Sequence, residues 1–227
     1  MQLATILKNK KIVFALISFL LFVLVVVGLL TSSIYNLDTA TFYFLSKNNI
    51  DCIGSFLRII TNAGNVVYLA CLCAILTLLF WKQKWGFLPI INFFGIAALS
   101  QVLKYIFVRE RPDPLLRGGY SFPSAHTMLA TAVLGFLIYL IITKTNWSKV
   151  IKVLVSSLLG VIILLVGISR VYLGYHFASD VLAGIFVSVA YLLVFIFIID
   201  DTPLFKNACD WVKKQYKQLS KRKTIQK

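Results

Sequence analysis

The feature that most constrains this chain is a set of long apolar runs, the first of which, residues 12–30, carries no charged residue. A helix that crosses a bilayer needs about 20 mostly apolar residues. Six stretches meet or approach that length: 12–30, 59–80, 86–108, 124–143, 150–168 and 177–199. A chain built this way does not fold as an ordinary soluble globule. Composition agrees where it matters, since 59% of the 227 residues are hydrophobic and 14% charged, against about 45–50% apolar and about 25% charged in soluble domains. The expected fold class is all-α: a polytopic membrane protein, a bundle of six transmembrane helices, with residues 1–227 forming a single integral-membrane domain. Lys8, Lys10 and Lys11 precede the first run as they would in a signal peptide. That run outlasts the roughly 7–15 residues of a signal core, and it ends in Thr31, Ser32 and Ser33, so it reads as a retained anchor.

Lys and Arg number 23 against 8 Asp and Glu, a formal charge of +15. An excess of that size points to nucleic acid or to an anionic membrane surface. Its distribution decides between them. With the N-terminus inside, most of the cations fall on the inner side: before the first run, around 82–84, around 144–152 and in the tail 206–227. Cytoplasmic loops carry such an excess. The expected topology therefore has both termini cytoplasmic, a basic cytoplasmic tail at 206–227 beside anionic headgroups, and no nucleic-acid partner. Hydrophobicity excludes disorder, and four Cys are too few for a disulfide scaffold. Cys71 and Cys73, inside an apolar run, read as small buried hydrophobes. The segment 32–58 is the one long outer connection before the third run. In it Ile50, Ile53, Leu57 and Ile60 recur at helical spacing and Phe42, Phe44 and Leu45 cluster. Short amphipathic helices at the outer interface fit this pattern, and so does a packed surface loop.

Charges within or beside membrane helices cost roughly 2.5–3.5 kcal/mol at a helix centre, so each needs a reason. Lys104 lies one turn inside the outer end of the third run, Arg170 at the outer end of the fifth and Asp180 one turn into the sixth. Lys104 alone could snorkel to the interface; Asp180 is too short to do so. The two histidines, His126 and His176, fall at the same outer level. Asp180 follows His176 by four residues, which on a helix puts carboxylate and imidazole on one face. That pairing fixes the tautomer and raises the basicity of the other ring nitrogen. Lys104, Arg111 with Pro112, Ser124 with Ala125 and His126, and Ser169 with Arg170 share this layer. Three cations, a hydroxyl and a helix N-terminus describe a site for a multiply charged oxyanion, most naturally phosphate. Ser124 also sits where a serine caps a helix.

In order and spacing, these clusters resemble the three-part signature of the type 2 phosphatidic acid phosphatase family, which shares its fold with vanadium haloperoxidases and bacterial acid phosphatases. K-x6-R-P corresponds to Lys104, Arg111 and Pro112, P-S-G-H to Pro123, Ser124, Ala125 and His126, and S-R-x5-H-x3-D to Ser169, Arg170, His176 and Asp180. The resemblance implies that His176 attacks phosphorus to form a phosphohistidine, that Asp180 orients it, and that His126 protonates the leaving oxygen and then activates water. It implies phosphate binding by Lys104, Arg111, Ser124, Arg170 and backbone N–H groups near Ala125, with Ser169 in a supporting contact. No metal and no other cofactor is implied. Ala125 departs from the family's usual Gly. If the site needs φ > 0 there, Ala costs about 1 kcal/mol or more; if Ala125 already lies in the first helical turn, little changes, and that is the expectation.

A site at the outer membrane level suits a substrate whose tail lies in the bilayer and whose phosphate lies at the headgroup plane. Undecaprenyl pyrophosphate ranks first, because an outward-facing site suits recycling of a carrier released outside. Phosphatidylglycerophosphate and phosphatidate are the alternatives. Between the first two motifs, Arg109, Asp113, Arg117 and Tyr120 are either headgroup contacts or ordinary loop residues. An anion transporter is the non-enzymatic alternative, disfavoured because no internal repeat is evident.

Overall fold

The computed structural model of the chain describes residues 9–47, 50–112 and 119–203. The expected basic tail 206–227, with Lys8, Asp113 and Arg117, lies outside the described residues. In chain order the elements are α1 (Lys10–Leu30), α2 (Tyr35–Lys47), α3 (Asp51–Ile60), a 3₁₀ turn (Thr61–Gly64), α4 (Val66–Phe80), α5 (Leu88–Phe107), α6 (Ala125–Lys144), α7 (Lys149–Tyr172) and α8 (Ala178–Asp201). No strand occurs among the described residues, so the all-α expectation holds.

Polar residues at the helix starts set several boundaries. Asn9 Oδ1 accepts from Lys11 N–H at 3.0 Å, Asn65 Oδ1 from Val67 N–H at 2.9 Å, and Ser148 Oγ from Ile151 N–H at 3.4 Å. Each satisfies a backbone donor that the helix itself leaves unpaired. Pro89 stands in the first turn of α5, where its missing N–H costs nothing. α5 ends on Val108 in the left-handed region, φ +46°. A β-branched residue adopts that conformation at a cost of about 1–3 kcal/mol. The turn carries the chain directly into Arg109.

Among the described residues five helices, α1, α5, α6, α7 and α8, are long and apolar enough to cross a bilayer unaided. The sixth expected span, 59–80, is not continuous. Asp51–Gly64 and Val66–Phe80 meet at a 46° bend, with Thr61, Asn62, Gly64 and Asn65 at the break. A Cβ on Gly64 would come within 2.9 Å of the His126 carbonyl oxygen and 2.7 Å of Val166 Cγ1, so the break lets the backbone press against the start of α6. In the segment 32–58 the helical reading holds, as α2 and α3. The face it buries is narrower than the spacing suggested: α3 buries Gly54 and Leu57 while Ile50 and Ile53 stay exposed. Cys73 is buried and Cys71 turns outward, which corrects the reading of both as core residues.

α6 is the central helix. Most of it is buried, packed by α5, α7 and α8, and Phe93, Ile96, Phe122, Met128, Leu129 and Val133 form the core around it. The outer faces of α1, α4, α5 and α7 expose large apolar side chains, as lipid-facing helices do. Small residues allow close approach between helices; a Cβ on Gly184 of α8 would meet the Ser124 carbonyl oxygen at 3.2 Å. α1 runs along α8. Lys11 near its start bonds Asp200 and Asp201 at the end of α8, each at 2.8 Å. The first and last spans therefore begin and end at one end of the bundle.

Candidate active site

At the opposite end of the bundle four helix termini converge: the end of α5 with Lys104, the start of α6 with Ser124, Ala125 and His126, the end of α7 with Ser169 and Arg170, and the start of α8 with Asp180. The antiparallel order of the helices brings these together. Lys104 is 9% exposed, Arg170 5%, His176 2% and Asp180 0%, so the polar layer is enclosed.

His176 precedes α8 and does not lie on it. The expected pairing with Asp180 is made from the turn, not by helical spacing, and it is long: Nδ1 to Oδ2 measures 3.4 Å. A hydroxyl stands beside it. Ser121 Oγ lies 3.3 Å from His176 Nδ1 and donates to Asp180 Oδ2. The same carboxylate oxygen accepts the Phe177 backbone N–H at 3.0 Å. Nδ1 thus faces two acceptors, an ionised carboxylate and an oxygen whose hydrogen is already directed elsewhere. The ring must carry its proton on Nδ1, which leaves the lone pair on Nε2. Nε2 in turn lies 3.5 Å from an Arg111 guanidinium nitrogen. Burial pushes the imidazole down to about 4 from its usual 6.5, with Asp180 opposing the shift and Arg170 and Lys104 adding to it. His176 is neutral at pH 7.

The cations surround this ring. Arg111 also donates to the Tyr175 carbonyl at 3.0 Å and the Gly119 carbonyl at 3.3 Å. Arg170 donates to Thr61 Oγ1 at 3.0 Å and lies 4.1 Å over the Tyr175 ring. Its own carbonyl accepts the His176 backbone N–H at 3.1 Å. Lys104 Nζ donates to the Tyr120 and Ser121 carbonyls. A cavity of about 260 Å³ opens beside Lys104, Arg111, Gly119 and Tyr120, and one of about 420 Å³ lies against Arg109, Arg111, Pro112 and Phe177. Such an arrangement can hold an oxyanion against a neutral imidazole nitrogen.

The sequence profile of the PAP2 superfamily matches residues 88–202. The chain belongs to that family. A phosphatidylglycerophosphatase B of Bacillus subtilis is 33% identical over 184 residues, 78% of this chain and 90% of its own. An undecaprenyl-diphosphatase of Sulfolobus acidocaldarius is 24% identical over 63% of this chain and 69% of its own. The crystal structure of a transmembrane PAP2-type phosphatidylglycerolphosphate phosphatase from Bacillus subtilis superposes with a TM-score of 0.75, at 30% identity, over 80% of this chain and 94% of that one. As a PAP2 protein with several membrane-spanning helices, the chain is a multi-pass membrane hydrolase acting on lipid phosphates.

The structure corrects the reading of Ser124 as a helix cap and defines the contacts of Ser169 and Arg109. Ser124 occupies the N-cap position of α6 but makes no side-chain cap bond; its hydroxyl accepts from Thr127 Oγ1 at 3.0 Å, and its backbone N–H reaches the Asp180 carbonyl at 3.1 Å. Ser169 donates to Val166 of its own helix at 2.6 Å, so its contact is internal to α7. Arg109 lies in the loop after α5 and lines the larger cavity, but it is no ordinary loop residue. It bridges two buried acids, Asp180 at 2.6 Å and Asp38 of α2 at 2.7 Å. Tyr120 contributes its carbonyl to Lys104.

Ala125 is the first residue of α6 and has no positive φ, as expected. Its methyl therefore demands no strained backbone, and Ala125→Gly is expected to leave kcat within about twofold. A tenfold gain in that variant would mean that the site requires a conformation reserved for glycine.

The sequence missed Asp38, Ser121 and Ser179. Ser179 donates through backbone N–H, at 3.0 Å, and hydroxyl to Asp38, so α2 caps the start of α8 from outside. The one available signal was Asp38 itself, an acid in the segment between the first two apolar runs.

Proposed function

We propose that this PAP2 chain is a phosphatidylglycerophosphate phosphatase that works through a phosphohistidine on His176. One observation carries the chemistry: the two groups facing His176 Nδ1 are both acceptors, so Nε2 bears the lone pair and faces Arg111. In the proposed reaction Nε2 attacks phosphorus while the bond to the leaving lipid oxygen breaks. His126, in the first turn of α6, protonates that oxygen. It then takes a proton from the water that displaces phosphate from His176, which restores the free imidazole. Lys104, Arg111, Arg170, Ser124 and the backbone N–H groups at Ala125 and His126 hold the three equatorial oxygens. Asp180 holds the ring and balances the imidazolium. Pro112 stiffens the turn carrying Arg111. Charge distribution supports a site on the outer face, with the Lys11 end of the bundle in the cytoplasm.

The substrate order differs from the one read from sequence, which put undecaprenyl pyrophosphate first. The phosphatidylglycerophosphatase relative is more similar and covers more of both chains than the undecaprenyl-diphosphatase relative, which supports the glycerophosphate lipid as the preferred substrate. The pyrophosphate remains the second reading on the strength of that weaker similarity.

The test is phosphate release by purified protein in detergent from phosphatidylglycerophosphate, phosphatidate and undecaprenyl pyrophosphate, with and without EDTA. The expected result is fastest release from phosphatidylglycerophosphate, unchanged by EDTA. No release from any substrate would overturn the function. A tenfold preference for the pyrophosphate would overturn the substrate, and inhibition by EDTA would overturn the metal-free mechanism.

A further inference from the structure

Ser121 is fully buried and is held from both sides by its backbone. Its N–H donates to the Arg109 carbonyl at 2.7 Å, and its carbonyl accepts from Lys104 at 3.4 Å. The hydroxyl is thereby placed at the one point that touches both the His176 ring and the Asp180 carboxylate. A buried serine hydroxyl offers one hydrogen and two lone pairs. The hydrogen goes to Asp180 Oδ2, so the oxygen can only accept from the ring.

We propose that Ser121 is a positioning residue for the phosphatase reaction, one that relays between His176 and Asp180 and fixes the imidazole as the Nδ1–H tautomer. The direct separation of 3.4 Å between Nδ1 and Oδ2 is long for a charge-assisted bond, and the carboxylate is shared with Arg109 and the Phe177 N–H. Without Ser121, Nδ1 rests on that one stretched contact. With it, Nδ1–H is divided between two acceptors, and rotation of the ring breaks both. When phosphorus bonds to Nε2, the ring becomes an imidazolium whose proton stays on Nδ1. The Ser121 oxygen and the carboxylate stabilise it there, and no proton has to move along the relay. The hydroxyl touches neither phosphate nor leaving group, so its removal should slow chemistry and leave binding intact.

This inference rests on the proposed role of His176, and the experiment separates the two. Ser121→Ala, Ser121→Thr and His176→Ala are compared with the unaltered protein for kcat and KM on phosphatidylglycerophosphate in mixed micelles, with detergent-solubilised melting temperature as a fold control. Ser121→Ala is expected to lose about ten- to a hundredfold in kcat, with KM within twofold and melting nearly unchanged. Ser121→Thr, which keeps the hydroxyl, is expected to recover most of the loss. Ser121→Cys, close in size to serine and a weaker donor, replaces it if the extra methyl prevents folding and should fall between Ser and Ala. If His176→Ala retains activity, the histidine mechanism falls. If His176→Ala is inactive while Ser121→Ala keeps its kcat, or loses activity through KM or through melting, the relay falls and the mechanism stands.

Discussion

Alanine at His176 is expected to lower phosphate release by about 10⁴-fold or more, since the proposed mechanism makes its Nε2 the atom that bonds phosphorus. The protein should still bind lipid phosphate, because Lys104, Arg111 and Arg170 are untouched, and it should fold, because the lost ring leaves a polar layer whose other members retain partners. The unaltered protein supplies a second readout. Attack needs the neutral ring, and burial holds the imidazole down to about 4. As pH falls, kcat/KM should therefore persist through the range where an ordinary histidine protonates and drop to half only near pH 4. The sign follows from the direction: a depressed value keeps the nucleophile neutral to lower pH. An acidic limb at pH 6–7 would mean that His176 is not the group that must be neutral. An active His176→Ala variant would remove it from the chemistry altogether. Enzyme and phosphate-labelled substrate quenched in alkaline detergent should yield an acid-labile, base-stable phosphoprotein that the variant lacks.

Much of this architecture was legible because the bilayer imposes a length and a polarity on each helix, and both can be read without knowing any contact. The five uninterrupted spans were visible on that ground alone. The sixth was visible as a span, but its bend was not, since averaging over 59–80 buries Thr61, Asn62 and Asn65 in apolar neighbours. Their value is positional: Asn65 caps α4 and Thr61 receives Arg170. Within the site, His176 and Asp180 were legible because their partnership is local. Even there the spacing argument succeeded for the wrong reason, because His176 meets the carboxylate from a turn ahead of α8. Ser121, Arg109 and Asp38 were silent. Each meets its partner across 59 to 141 positions of chain, and no periodicity encodes which helix end will lie beside which. A serine two residues before a motif, or an acid between two apolar runs, acquires meaning only when packing brings the other half.

Arg109 shows how much depends on such a pairing. One guanidinium nitrogen donates to Asp180 Oδ1 and Ser179 Oγ, the other to Asp38 Oδ2, at 2.6, 2.7 and 2.7 Å, while its plane lies 4.2 Å over the Phe177 ring. The side chains are 12% exposed for Arg109, 2% for Asp38 and 0% for Asp180, so water offers little help to any of them. Removing one partner of a buried ion pair costs about 3–5 kcal/mol, mostly as the penalty of the charge left behind. Arg109→Met leaves two carboxylates close together without their cation. It is expected to destabilise the protein by that amount, measured as denaturant-induced unfolding in detergent, and to disturb the Asp180 oxygen pattern enough to lower kcat more than tenfold. Lysine should rescue poorly, because a single ammonium cannot reproduce a fork that serves two acids. Asp38→Asn is the milder variant: the amide oxygen can still accept from the Ser179 N–H, so the expected cost is about 1–2 kcal/mol. The decisive comparison is the double variant. If the penalty in Arg109→Met comes from two uncompensated carboxylates, then adding Asp38→Asn removes one of them and recovers part of the lost stability. If the penalties simply add, the two residues act independently and α2 is not electrostatically tied to the site. If Arg109→Met unfolds at the same denaturant concentration as the unaltered protein, the bridge contributes nothing, and the left-handed turn at Val108 that delivers Arg109 inward must serve some other contact.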